Sequence, residues 1–382
     1  MRAALLGLYL LMTVQFVGSY LFHTFTYIDI DRFIHGYERL PFQTRLLLAP
    51  LFHWAANSRF MIHYASRLAM NGYFFPRGIG PSEVVEFWLD IPCLVVAGWV
   101  AVRLYQASSR RHLLTWLVYP LFLVLCAVSY TLHTIQSFRF IYDMPSMTFF
   151  ALGLYLTYFR KSRLLLVALF AIATLNRETT LFLIPFYLLS ELARSRQPIG
   201  PNVVSPGKLS VGDQPRHARF ASISSSIRNL HCRRLLRPEV TTTAALMLLY
   251  WAAWHIFIFH FFRRNASEYY SRLPFNLHTF ARLRYYPQLF SACGYLLPFL
   301  LIFRKHVHDA QLRLWMWTIP GWYALMAVWG ILVETRVFGE LLPFIACVAT
   351  LIAEEVFAAA VLARTQPERD VDEDRVHLVR AA

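Results

Sequence analysis

The stretch LLLVALFAIATLNRETTLFLIPFYLLSEL, residues 164–192, decides how this chain is laid out. Two apolar runs, 164–175 and 179–192, flank Asn176-Arg177-Glu178. Each is too short to cross a hydrocarbon core of ~30 Å at ~1.5 Å per residue. Joined, they make one helix with three polar residues in its middle. Kept apart, they make a short hairpin. The choice sets the side on which every later loop falls, so loop charge decides it: Lys and Arg collect in cytoplasmic loops. With a hairpin and an inside N-terminus, the inside segments hold 22 Lys and Arg and the outside segments 14. Merging the runs sends the basic residues of 193–239 outside. The charge distribution therefore predicts a hairpin that turns near the outer face.

Around this hairpin the chain has the composition of a protein that lives in lipid. Of 382 residues, 57% are hydrophobic and 15% charged, against roughly 45–50% and about 25% in soluble domains. Aromatic residues reach 16%, which suits interfacial belts. An ordinary soluble enzyme and a disordered regulator are both excluded. Ten apolar runs read as spans: 3–22, 84–105, 113–135, 142–159, 164–175, 179–192, 240–262, 285–303, 314–333 and 337–363. The expected fold is all-α, a multi-pass transmembrane bundle of about ten spans, some short, over residues 1–363. The first run has no small-residue cleavage site and reads as a retained span. The outer loop 23–83 is expected to carry one or two interfacial helices. The loop 193–239 and the tail 364–382 are expected to be disordered and cytoplasmic.

The net charge of +15 is read as a topology signal, and no nucleic-acid partner is expected. Only Lys161, Lys208 and Lys305 are lysines, so the basic character is almost all arginine. The five Cys form no Cys-x-x-Cys pair and four lie in apolar runs, as small core residues do. His255 and His260 are five apart and do not share a metal-binding helical face. Asn265-Ala266-Ser267 is an N-glycosylation sequon on the expected outside.

The acidic residues fall at the outer ends of the expected spans. Asp29, Asp31 and Glu38 follow the first span. Asp143 opens the fourth, Glu178 sits at the hairpin tip, and Glu334 and Glu340 flank the start of the tenth. Each has an arginine close by in sequence: Arg32 and Arg39, Arg139, Arg177, Arg336. Acid and guanidinium together suit acid–base work and anion binding. The even-numbered spans also point their N-termini outward, which favours a phosphate there. Blander readings stand beside these. Asp143 before Pro145 is a helix-opening residue, Glu178 and Arg177 close a turn as an ion pair, and Glu334-Thr335-Arg336 is a charged loop. A divalent cation is an option through Asp29 and Asp31, and nothing else in the sequence requires one.

Four stretches carry a resemblance. They are Tyr27-Ile28-Asp29-Ile30-Asp31 with Leu40-Pro41-Phe42-Gln43-Thr44-Arg45; Tyr142-Asp143-Met144-Pro145; Asn176-Arg177-Glu178-Thr179; and Glu334-Thr335-Arg336-Val337-Phe338-Gly339-Glu340-Leu341-Leu342-Pro343. The arrangement resembles the polytopic GT-C class of glycosyltransferases, including the bacterial multi-pass proteins near the glycosyltransferase 39 and mannosyltransferase-like groups. The resemblance implies transfer of a sugar from a polyprenyl-phosphate donor to a glycan, lipid or protein acceptor on the extracytoplasmic face of the cell membrane. It implies a first-loop carboxylate, Asp31 or Asp29, as base. It also implies substrate-binding roles for Arg45, Arg139, Asp143, Asn176, Arg177, Glu178, Glu334, Arg336 and Glu340. The alternatives are a lipid-sugar flippase or transporter and a non-catalytic membrane assembly protein.

Overall fold

In the computed structural model of the protein, residues 2–70, 79–132, 138–196 and 237–380 are described. The chain is all-α. Among the described residues the strands are two short pieces, β1 (Phe25–Thr26) and β2 (Phe138–Arg139), paired in parallel. The helices that build the bundle are α1 (Arg2–His23), α5 (Pro81–Ser108), α6 (Thr115–Tyr130), α7 (Asp143–Tyr158), α8 (Arg163–Asn176), α9 (Leu183–Arg196), α10 (Pro238–Phe261) and α16 (Leu342–Arg380). Between α1 and α5 lie α2 (Ile30–Ile34), α3 (Ala49–Asn57) and α4 (Arg59–Met70). Between α10 and α16 lie α11 (Leu273–Phe280), α12 (Tyr286–Ser291), α13 (Leu296–Ile302), α14 (Ala310–Trp315) and α15 (Thr318–Trp329).

Among the described residues, four helices are long and apolar enough to cross a membrane: Ala3–His23, Pro81–Ser108, Pro238–Phe261 and Thr335–Val361. A fifth results if the pair Leu283–Ser291 and Leu296–Ile302, bent by 71°, is one span. The other expected spans are shorter or broken. The 113–135 and 142–159 runs become helices of 16 residues each, and 314–333 divides into α14 and α15. The 71° bend has a local cause. Cys293, Gly294 and Tyr295 all take positive φ, at 53°, 65° and 64°. Consecutive residues there cannot continue a right-handed helix.

The 164–192 stretch is not one helix. Arg177 is extended, with φ −161° and ψ 143°, and a 3-10 turn at Glu178–Phe182 follows it. At the far end of α9, Arg194 donates to the carbonyl of Thr157 at the end of α7. The start of α8 follows the same end of α7, so α8 and α9 form an antiparallel hairpin astride it.

Helix α5 is the axis of the bundle, packed by α1, α6, α7 and α16. Its buried face carries Leu94, Ala97, Val100, Ala101 and Leu104, which meet Val118, Phe122 and Met147 from its neighbours. Gly98 lets α6 approach: a Cβ there would meet the Tyr119 ring at 2.4 Å. Outward faces are apolar as well. Leu6, Leu8 and Leu11 on α1 and Leu249, Ile256 and Phe261 on α10 are exposed, as lipid-facing side chains are.

The segment after α1 has its own small core. Phe33, Phe52, Ala55, Met61 and Ala65 pack against Val84, Val85 and Phe140–Tyr142. Both longer helices of the 23–83 segment, α3 and α4, belong to it. Residues 197–236 of the expected disordered loop lie outside the described residues. Over the tail that the sequence reads as disordered, the backbone continues α16 to Arg380. A helix already nucleated in an apolar segment extends at little cost, since initiation is the expensive step.

Candidate ligand site at one end of the bundle

One end of the bundle collects α1, α6 and α8 by their C-terminal ends and α5, α7, α9 and α16 by their N-terminal ends. Asp143 in the first turn of α7 is the hub, and it is buried. Its Oδ1 takes Arg177 Nη1 at 3.2 Å, and its Oδ2 lies 3.8 Å from Arg336 Nη1. The Tyr20 hydroxyl donates to Oδ2 at 3.4 Å. Arg177 Nη1 also meets Glu340 Oε1 at 3.1 Å, which accepts in addition from the Thr179 hydroxyl at 2.7 Å. Arg336 Nη2 meets Glu334 Oε2 at 2.7 Å and lies over the Phe140 ring at 3.8 Å. Asn176 donates to the Tyr142 carbonyl and to the Ser146 hydroxyl at 3.2 and 2.8 Å, tying the hairpin turn to the start of α7.

Two further ion pairs border this hub. Arg45 grips Glu178 with two bonds, at 3.1 and 2.5 Å, and its guanidinium covers the Tyr142 ring at 4.2 Å. Burial alone raises the Glu178 carboxyl, but the Arg45 charge and its hydrogen bonds outweigh burial and hold it down at about 2. Burial lowers the Arg45 guanidinium and Glu178 reverses this, so its pKa is raised. Arg139 takes a different partner, Glu86 Oε2 at 2.9 Å, and donates to the Thr24 carbonyl at 2.6 Å, closing the end of α1.

The sequence neighbours are therefore not the structural partners. Asp143 pairs with Arg177 and Arg336 and not with Arg139, while Glu178 pairs with Arg45 and not with Arg177. Adjacent residues project in different directions, so partners come from other segments. Only Glu334–Arg336, Glu38–Arg39 and Asp29–Arg32 pair as the sequence order suggests.

Asp143, Asn176, Arg177, Glu334, Arg336 and Glu340 meet in one buried cluster, with Arg45, Glu178 and Arg139 at its border. Asp29 and Asp31 stand apart from it. Asp29 caps α2 by accepting from the Arg32 backbone N–H, and its side chain is 53% exposed. Asp31 is 85% exposed and faces His35 at 3.4 Å. No group of three or more His, Cys, Asp or Glu among the described residues is arranged to hold a metal ion. The Asn265 amide of the sequon donates to the carbonyls of Gly36 and Glu38 at 2.9 and 2.8 Å.

Within the cluster several buried polar atoms have no hydrogen-bond partner: the hydroxyls of Tyr130 and Tyr142, Nε of Arg177 and Arg336, Oε2 of Glu340 and Oδ1 of Asn176. Orphaned groups of this kind are uncommon in native interiors. Here donors and acceptors occur together around Asp143, the kinds of group that bond hydroxyl and phosphate oxygens. Gly339 lets Tyr130 reach this place, since a Cβ there would lie 1.8 Å from its hydroxyl. An open apolar groove of about 490 Å³ lies at the opposite end, between α8 and α10, away from this chemistry.

Glu86 and Asp90 are additions to the residues singled out in the sequence. Both are buried in α5. Their signal is two carboxylates four residues apart inside an apolar helix, where charge is costly and usually functional. No protein-family model, curated protein or solved structure matches the chain.

Proposed function

We propose that the protein is an integral membrane glycosyltransferase that moves a sugar from a polyprenyl-phosphate donor to a glycan, lipid or protein acceptor on the extracytoplasmic face. In this reading about ten segments, including the short hairpin, cross or enter the cell membrane. Both termini are cytoplasmic and the Asp143 end faces outward. The observation that carries the reading is the meeting at Asp143 of charged residues from three separate segments, with orphaned donors and acceptors among them.

The chemistry follows from the residues. The acceptor oxygen attacks the anomeric carbon, the bond from that carbon to the phosphate oxygen breaks, and the lipid phosphate leaves with the electron pair. The acceptor proton passes to a first-loop carboxylate, Asp31 or Asp29; both are exposed and lie outside the cluster, so in this reading the cluster holds the donor and the acceptor approaches it from the first loop. A lipid phosphate is already a good leaving group, so the protein mainly orients the reactants and stabilises charge. The Nε–H groups of Arg177 and Arg336 and the two tyrosine hydroxyls are the free donors for phosphate and sugar oxygens. The Glu340 and Asn176 oxygens are the free acceptors for sugar hydroxyls. The carboxylates already on Arg177 and Arg336 keep each guanidinium aimed.

The test is transfer of a labelled sugar from a polyprenyl-phosphate donor by protein reconstituted in liposomes. Asp31→Ala or Asp29→Ala is expected to abolish transfer while the protein still folds. Full activity in both variants refutes the assignment of the base. A second reading, a lipid-sugar transporter, is favoured by the helix breaks at Arg177 and at the α12–α13 bend, since transporters build sites from interrupted helices. It predicts counterflow of the lipid-sugar with no glycosylated product.

A further inference from the structure

Glu86 and Asp90 are one helical turn apart on α5, and each is 1% exposed. Residues four apart share a helix face. Arg139 serves Glu86 Oε2 at 2.9 Å, while its other nitrogens are taken up by the Thr24 carbonyl and by Glu83 at 3.7 Å. Glu86 Oε1 and both carboxylate oxygens of Asp90 have no hydrogen-bond partner. The charged groups that face the pair are Arg139, Glu83 on the preceding turn and Asp143 from α7. Tyr20 from α1 is within electrostatic reach of both acids, and its hydroxyl is directed at Asp143. Asp143 has its own guanidiniums, Arg177 and Arg336. One guanidinium, Arg139, is thus left to three carboxylates.

A buried carboxylate without a cation or a donor is strongly disfavoured in its charged form. A carboxylic acid beside an orphaned carboxylate oxygen relieves both defects, because it removes one charge and supplies the missing donor. We propose that Glu86 and Asp90 together bind one proton, carried on Asp90 and shared with Glu86 Oε1, so that the pair presents a single negative charge to Arg139. The proton comes from the hydronium of the surrounding water: an O–H bond breaks there, an O–H bond forms on Asp90, and a neutral water molecule is left. This site stands independently of the sugar-transfer reading and lies next to the Asp143 cluster through Tyr20.

The test is infrared spectroscopy of the full chain in lipid nanodiscs at neutral pH, with and without ¹³C-aspartate labelling. A protonated-carboxyl band is expected that shifts on labelling and is lost in Asp90→Asn. Because an amide replaces a neutral acid, Asp90→Asn is expected to melt within about 2 °C of wild type. Glu86→Gln removes the partner of Arg139 and is expected to lower Tm by more. If labelled wild-type protein shows no protonated aspartate band, the proposal is overturned, whether or not Asp90→Asn folds. An Asp90-dependent rise in Tm with Na⁺ or K⁺ also overturns it, since it assigns the orphaned oxygens to a metal cation.

Discussion

Arg45 and Glu178 stand 133 residues apart in the chain and meet in a bidentate pair. Removing one member of such a pair leaves the other charge without compensation. Glu178→Gln is therefore expected to cost about 3 kcal/mol, measured by thermal unfolding. The pH dependence has a definite sign. The Glu178 carboxyl falls from its ordinary 4.5 to about 2 in the folded protein. Its stabilisation is full above about pH 4.5 and is lost as pH falls toward 2. The difference in stability between wild type and Glu178→Gln should shrink over that interval; a difference that stays constant refutes the pair's role. At this scale the sequence was legible in part. That Asp143, Arg177, Glu178, Arg336 and Glu340 are charges set among apolar runs was readable from the sequence. Which guanidinium served which acid was not, because the pairs bridge distant segments.

Elements show the same division. Long apolar runs such as Pro81–Ser108 and Pro238–Phe261 are legible because span length and hydropathy agree. The bend between α12 and α13 is not, because Cys293 and Tyr295 carry no preference for the left-handed conformation they adopt beside Gly294. Asp29 is legible as a loop acid, whereas its role as the α2 cap depends on backbone geometry. Asp29→Ala is expected to destabilise α2 by about 1 kcal/mol, read as faster amide hydrogen exchange over residues 30–36. Unchanged exchange there would contradict the cap. Gly339→Ala tests how the segment before α16 meets α6. The added methyl collides with the Tyr130 hydroxyl, and overpacking of this kind costs about 1–3 kcal/mol. Combining it with Tyr130→Phe, which removes the colliding oxygen, should recover much of the loss in Tm.

For the whole molecule, the alternating helix polarity brings Asp143, Arg177, Arg336 and Glu340 to one end of the bundle. Sidedness can be tested with single cysteines in a cysteine-free background. Tyr37→Cys, in the exposed outer loop, is expected to react with an impermeant maleimide in intact cells. Arg111→Cys, between α5 and α6 at the other end, is expected to react only after permeabilisation; the reverse pattern inverts the proposed topology. The central claim is that the Asp143 cluster is a substrate site. It is tested most directly by sugar transfer from a polyprenyl-phosphate donor in proteoliposomes, comparing wild type with folded Arg336→Gln and Asp143→Asn proteins. The account predicts transfer by wild type and a loss of at least ~10²-fold in both variants, the size expected when a charge-stabilising group is removed. Transfer at the wild-type rate by both folded variants, or none by wild type with any polyprenyl-phosphate sugar, would contradict it.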